Sequence, residues 1–268
     1  MKTCRFSGTA AIALCLLFFV CAAHSQDRPP NRPPLASPPL SSYPSSEEKL
    51  LLDAANRERA AAGLQALQWN DALAAAARQH AQVMVSQNLV LHQCLDELPL
   101  DQRAAKAGAR FSMIAENIAV GPNAEAIHNG WMHSPGHRKN ILSAEVTAVG
   151  IATMRGSGGL FAVQDFSRPV EALSLEQQED RVISLLKSNG LQIVSVSEDA
   201  RKTCKKELGL DGPPALFVTR FEVTDLNTLP GDLLKEVKSR GYRKAAVGAC
   251  RSGYTAGFTR YRLAVLLN

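Results

Sequence analysis

Half of the chain's 14 prolines stand between Asp27 and Ser46, in the run DRPPNRPPLASPPLSSYPSS. Proline fixes φ and carries no amide hydrogen, so such a stretch joins neither a helix interior nor a sheet interior. It is stiffened toward polyproline II and reads as a semi-rigid tether. Globular structure in this 268-residue chain is therefore expected after residue 46.

The residues ahead of the tether point to export. Lys2 and Arg5 are followed by an apolar run from Ala10 to Ala23 and then by Ala23-His24-Ser25. This is the order of a secretory signal peptide, with cleavage near Ser25. The apolar run falls short of the roughly 20 residues a membrane span needs. A lipoprotein anchored through Cys21 is the rival reading, disfavoured by the branched Val20 before it. The expected location is thus outside the cytoplasm, secreted or periplasmic, where a proline-rich ligand for a partner domain is the less expected use of the tether.

Cys4, Cys15 and Cys21 leave with such a signal, and Cys94, Cys204 and Cys250 remain. Three cysteines allow one bridge. Cys204, on an expected helix, and Cys250, at the end of an expected strand, either bridge or stay as buried thiols; oxidation on export favours the bridge. No Cys-x-x-Cys or Cys/His finger spacing indicates a closed structural zinc site. The net charge of +5 is mild and evenly spread, and aromatic residues make up only 6%. Neither a basic nucleic-acid footprint nor a stacking platform for bases is indicated.

Along residues 47–169, helical and strand periods alternate. Ser45 and Glu48 have capping-box spacing before LLDAANRERAAAG, which Gly63 stops. A second helix is expected from Asn70 or Asp71, with Leu73, Ala77, Ala81 and Met84 on one face. A third follows Asn123 and puts Ile127, Trp131 and Ser134 on a common face. VTAVGIATM and LFAVQDF, joined by Arg155-Gly156-Ser157-Gly158-Gly159, read as a hairpin. Residues 170–268 read as a smaller mixed α/β domain, with strands in LQIVSVS, PALFVTRFEV, KAAVGAC and FTRYRLAVLL and helices between them. Ala-Val-Gly followed by a glycine-bearing turn occurs near residues 148 and 246, an echo too short to establish a repeat.

The chemistry-bearing residues of the middle segment sit in apolar surroundings: His92 after NLVL, Glu116 within MIAENIAV, His137 within WMHSPGHRKNIL. A carboxylate there is costly unless paired, and two imidazoles could pair it or, with it, offer nitrogen and oxygen ligands to a divalent ion. The bland alternatives are hydrogen-bonded core histidines and a glutamate that ties loop amides together. His80, His128 and His133 read as surface or helix-face residues, Trp131 as core, Arg138 and Asn140 as loop fasteners. No Gly-x-Ser-x-Gly elbow or His-Glu-x-x-His helix is present. Cys94, two residues from His92, is not placed to form a thiolate pair.

Taken in order, NRERAAAGLQALQWNDALAAAARQHAQVM, NLVLH, AENIAVG, GWMHSPGHRKNIL, VGIA and VQDF resemble the bacterial CAP superfamily of cysteine-rich secretory, antigen 5 and pathogenesis-related proteins. The resemblance implies an α-β-α sandwich around a central antiparallel sheet. It also implies a cleft lined by two histidines and two glutamates, which hold zinc in some members. His92, Glu116 and His137 match three of those positions; Ser134 stands at the fourth, where a hydroxyl cannot act as a charged ligand or a base. The resemblance thus implies a secreted, monomeric binding module whose cleft, lined by His92, Glu116, Ser134 and His137, takes a lipid, sterol or peptide, or an envelope partner. It requires no cofactor. The alternative is a hydrolase in which His92 and His137 hold zinc or another divalent ion and Glu116 activates its water.

Overall fold

A computed structural model describes residues 44–252 and 258–268. The expected signal peptide, 1–25, and nearly all of the tether lie outside these residues.

The first helix, α1 (Ser46–Ala61), starts at the expected capping box: the Glu48 N–H donates to Ser45 Oγ, and the Ser45 N–H donates to the Glu48 carboxylate at 2.8 Å. Gly63, at φ +71°, turns the chain out of it into the two-residue β1 (Gln68–Trp69). Helix α2 (Asp71–Gln87) is capped by Asn70, whose side chain accepts the Leu73 N–H. Its apolar face, Leu73, Ala77, Ala81 and Met84, is fully buried, as the period requires. A short α3 (Leu100–Lys106) leads into the long β2 (Phe111–Gly121). Helices α4 (Ala124–His133) and α5 (Pro135–Ile141) follow, then the hairpin β3 (Ala148–Gly156) and β4 (Gly159–Pro169).

These strands form one sheet in the order β1-β3-β4-β2. β2, β3 and β4 are antiparallel, but the short β1 runs parallel to β3, so the sheet is mixed rather than purely antiparallel. Alternate residues of the strands feed two cores. Val149, Ile151, Ala162 and Phe166 pack with Leu51 of α1, Ile127 and Trp131 of α4 and Ile141 of α5. Ala152, Phe161 and Val163 pack with Ala77, Ala81 and Met84 of α2 on the other face. The result is an α-β-α sandwich.

Two local expectations fail. Glu116 lies in the middle of an eleven-residue strand, not in a loop. Ser134 is not on the α4 face: the helix ends at His133, and Ser134, with extended backbone, is both its C-cap and the N-cap of α5. Pro135 explains the break, since it restricts the residue before it to extended conformations.

The remaining elements are α6 (Leu175–Ser188), β5 (Ile193–Val196), α7 (Glu198–Lys205), β6 (Phe217–Val223), α8 (Gly231–Ser239), β7 (Lys244–Cys250) and β8 (Tyr261–Leu267). They form a second four-stranded sheet, order β5-β7-β8-β6, over its own core, which includes Val182, Leu186, Leu233, Val247 and Val265. Cys204 and Cys250 form a disulfide that ties α7 to β7 with Cα atoms 5.9 Å apart; Cys94 is a free, buried thiol. The halves meet at Phe111 and Phe258, whose rings cross edge to face at 5.2 Å, and the Thr259 N–H donates to Phe111 O. Among the described residues no helix is long and apolar enough to cross a membrane.

Candidate functional site

β2 carries the centre of the site. Glu116 is buried beside Asp165 of β4, and Asn117 beside Gln164. Glu116 Oε1 meets His92 Nδ1 at 2.8 Å, and its Oε2 accepts from Arg103 Nη2 of α3. Arg103 also donates to the carbonyls of His92 and Leu98, at 3.1 and 3.3 Å. One guanidinium thus neutralises the carboxylate and fastens the loop that brings His92 to it. Behind this pair, the fully buried His80 of α2 places Nδ1 2.7 Å from Glu97 and Nε2 3.8 Å from Glu116.

α5 docks on the same strand through two amides. Asn140 Nδ2 donates to Glu116 O at 3.1 Å and to Asn117 Oδ1 at 2.9 Å, while Asn117 Nδ2 donates to His137 O at 3.1 Å. Asn140 is therefore a fastener, as expected. His92 and His137 differ electrically. The hydrogen bond to Glu116 raises the His92 pKa. Burial, then the neighbouring His92 charge, lowers that of His137.

Of the four residues expected to line the cleft, His92 and Glu116 are in contact; α5 carries His137, whose backbone carbonyl accepts from Asn117 and whose imidazole feels the His92 charge. Ser134 sits at the α4–α5 junction, where its N–H donates to Trp131 O and its side chain makes no cap bond to α5. Among the described residues, the ligand atoms of His92, Glu116 and His137 are not all within 4.8 Å of one another. Among the described residues, the set of His, Cys, Asp and Glu atoms lying within 4.8 Å of one another is His80, Cys94 and Glu97. There Arg103 Nε lies 3.6 Å from Glu97 and supplies the positive charge itself. Both oxygens of Glu116 are engaged, one with His92 and one with Arg103. A cavity of about 620 Å³ lies along Met132, His133, Pro135, Arg138, Lys139, Leu142 and Ser143; none of His92, Glu116 and His137 lines it.

Sequence reasoning missed Arg103, Glu97, His80 and Asp165. Both His80 and His128, expected on helix surfaces, are buried. Asp165 is wholly buried, and neither carboxyl oxygen has a hydrogen-bond partner. Burial, then the Glu116 carboxylate, pushes its pKa well up. The folded chain therefore holds a proton that the unfolded chain has released above its own carboxylate pKa of about 3.9, and folding weakens as pH rises through that window. The variant Asp165→Asn, which needs no such proton, is expected to gain stability relative to the unchanged chain as pH rises from 4 to 7. Urea titrations at pH 7 and pH 4 check this: the gain should shrink at the lower pH.

The surface beside this polar network is apolar. Leu89, Val90, Leu91, Leu95 and Leu98 are 43%, 37%, 47%, 80% and 40% exposed, all within the loop that carries His92. The His92 side chain is itself 62% exposed, so it is the member of the network that a ligand reaches first.

Residues 52–166 match the profile described as CAP, the cysteine-rich secretory protein family. The chain is similar to the uncharacterized protein YkwD of Bacillus subtilis, 34% identical over 122 residues, or 45% of this chain and 47% of that protein. It is also similar to the uncharacterized membrane protein YlbC of the same bacterium, 32% identical over 111 residues, 41% of this chain and 32% of that protein. The matches thus span about half and about a third of those relatives' lengths. Among solved structures, an extracellular protein containing a SCP domain from Bacillus anthracis is 30% identical over 45% of this chain and 39% of its own, with a TM-score of 0.41.

Proposed function

Since residues 52–166 form a domain of the cysteine-rich secretory protein family, we propose that this domain is an extracellular binding module for an apolar ligand, a lipid, a sterol or an apolar peptide. The observation that carries the reading is the exposed loop Leu89–Leu98, whose apolar side chains stand in water around the reachable imidazole of His92. Finishing the burial of such half-exposed side chains against a ligand is favourable by about 1 kcal/mol each. His92, held by Glu116 and Arg103, then offers a polar group that fixes the ligand's orientation.

The hydrolase alternative has less support. It asks Glu116 to act as a base while both its oxygens are engaged, and asks His92 and His137 to share an ion without a third ligand from this site.

Native mass spectrometry of the chain lacking residues 1–25, incubated with fatty acids, phospholipids, sterols and an apolar peptide, tests the proposal. At least one class should remain bound. The double variant Leu91→Ser/Leu95→Ser is expected to weaken that binding by about tenfold or more, from the lost burial, while leaving the fold unchanged by circular dichroism. A chain that retains none of the panel contradicts the reading.

A further inference from the structure

The two sheets have the same plan. Each half runs helix, parallel edge strand, helix, strand, helical connection, hairpin, and the orders β1-β3-β4-β2 and β5-β7-β8-β6 correspond strand for strand, including the one parallel pair in each. Because unrelated mixed α/β sheets share a strand order easily, the detailed register decides whether the match is deeper.

It is deeper. Both first helices open on a serine capping box, Ser45 with Glu48 and Ser174 with Gln177. Each is followed by Gly-Leu-Gln, with the glycine at φ +71° (Gly63) or +106° (Gly190). Seven residues on from each glycine stands the cap of the next helix, Asn70 or Ser197. The N–H of that cap donates to the third strand, Asn70 to Val149 O at 2.9 Å and Ser197 to Val247 O at 3.1 Å. The following residue of that strand is glycine in both halves. A Cβ on Gly150 would stand 2.0 Å from Ala74 N, and one on Gly248 2.1 Å from Arg201 N; Ala74 and Arg201 are each four residues past their caps. Two helices thus press their first turns onto two strands at corresponding atoms.

We propose that residues 174–268 are a second copy of the fold of residues 45–169, from which the cleft chemistry has been removed, leaving one ligand-taking copy and one framework copy per chain. The register identifies what was lost. In the first sheet Gly150, Asp165 and Glu116 lie abreast; in the second, Gly248, Ala264 and Arg220 do. The buried acid becomes a methyl group and the central carboxylate becomes a guanidinium. Arg220 donates to Thr203 O at 2.8 Å and to Gly209 O, fastening the local loop directly, where the first copy uses Glu116 and Arg103 together. Residues 88–110, which carry His92, Glu97 and Arg103, shrink to 206–216. Helix α8 runs on to β7 through residues 240–243 alone, so α5, with His137 and Asn140, has no counterpart.

The same register places the disulfide. Cys204 is seven residues past its cap and Cys250 two past its glycine; the first copy has Ala77 and Ala152 there, both fully buried in one core. The chain lacking residues 1–25 and carrying Cys94→Ala, Ala77→Cys and Ala152→Cys is therefore expected to form a second disulfide in air, mapped by mass spectrometry of unreduced peptides. New cysteines that stay reduced in a folded chain, or pair with Cys204 or Cys250, overturn the proposal. The complementary variant Cys204→Ala/Cys250→Ala should keep its sheet with a lower melting temperature, because alanines close the equivalent contact in the first copy; loss of the sheet would count against it. That only the first copy takes a ligand rests on the binding reading above, whereas the disulfide tests address the shared architecture alone.

Discussion

Replacing Arg59 by alanine is expected to lower the unfolding free energy by about 4 kcal/mol. Arg59 is 1% exposed, near the end of α1. Its guanidinium donates to Gln65 O, Ile141 O, Ser143 O and Val146 O, at 2.8, 2.8, 2.7 and 3.1 Å. One planar fork thus ties the exit of α1 to the whole turn between α5 and β3. Alanine leaves several buried carbonyls without donors and a cavity where the stem ran, two penalties that add. Lysine, with one nitrogen, cannot reach four carbonyls from a single point and should recover less than half of the loss. Urea denaturation of the three proteins measures both statements.

Glu116→Gln is expected to cost about 3 kcal/mol, for an electrostatic reason rather than a catalytic one. Arg103 is 97% buried, and Glu116 is its direct partner. The amide still accepts one hydrogen bond but no longer balances the charge, so a buried cation is left with only the more distant Glu97. Adding Arg103→Met should recover part of the loss, because the remaining groups are then neutral or paired; the double-mutant cycle reports the coupling. His92 gives a second readout. Glu116 is the main cause of its raised pKa, so in Glu116→Gln the His92 titration followed by NMR moves down.

Much of the fold is legible in the sequence because its signals are local. Ser45 with Glu48, Asn70, Gly63 and the glycine-rich turn before Gly159 mark element ends through bonds to near neighbours. The apolar face of α2 follows from period alone. β2 is not legible because both of its faces are buried: Ile114, Glu116 and Ile118 alternate with Ala115, Asn117 and Ala119, so neither face is clearly the wet one. α5 is hidden by Pro135-Gly136, which punctuates like a loop. The contact of His92 with Glu116 could be anticipated from a resemblance, but its supports could not. Arg103 and Asp165 reach Glu116 from elements that sequence spacing does not relate to it. The Ala-Val-Gly echo between the halves carried real information, yet only the strand register shows that its two glycines do the same work.

The proposed function depends on a ligand being held at the apolar loop around His92. Hydrogen–deuterium exchange on the chain lacking residues 1–25, with and without the lipid, sterol or peptide that native mass spectrometry retains, tests it most directly. Slowed exchange is expected in residues 88–98, with residues 206–216 unchanged. Protection confined to the cavity bordered by Met132 and Ser143, with the His92 loop exchanging as fast as before, would contradict it.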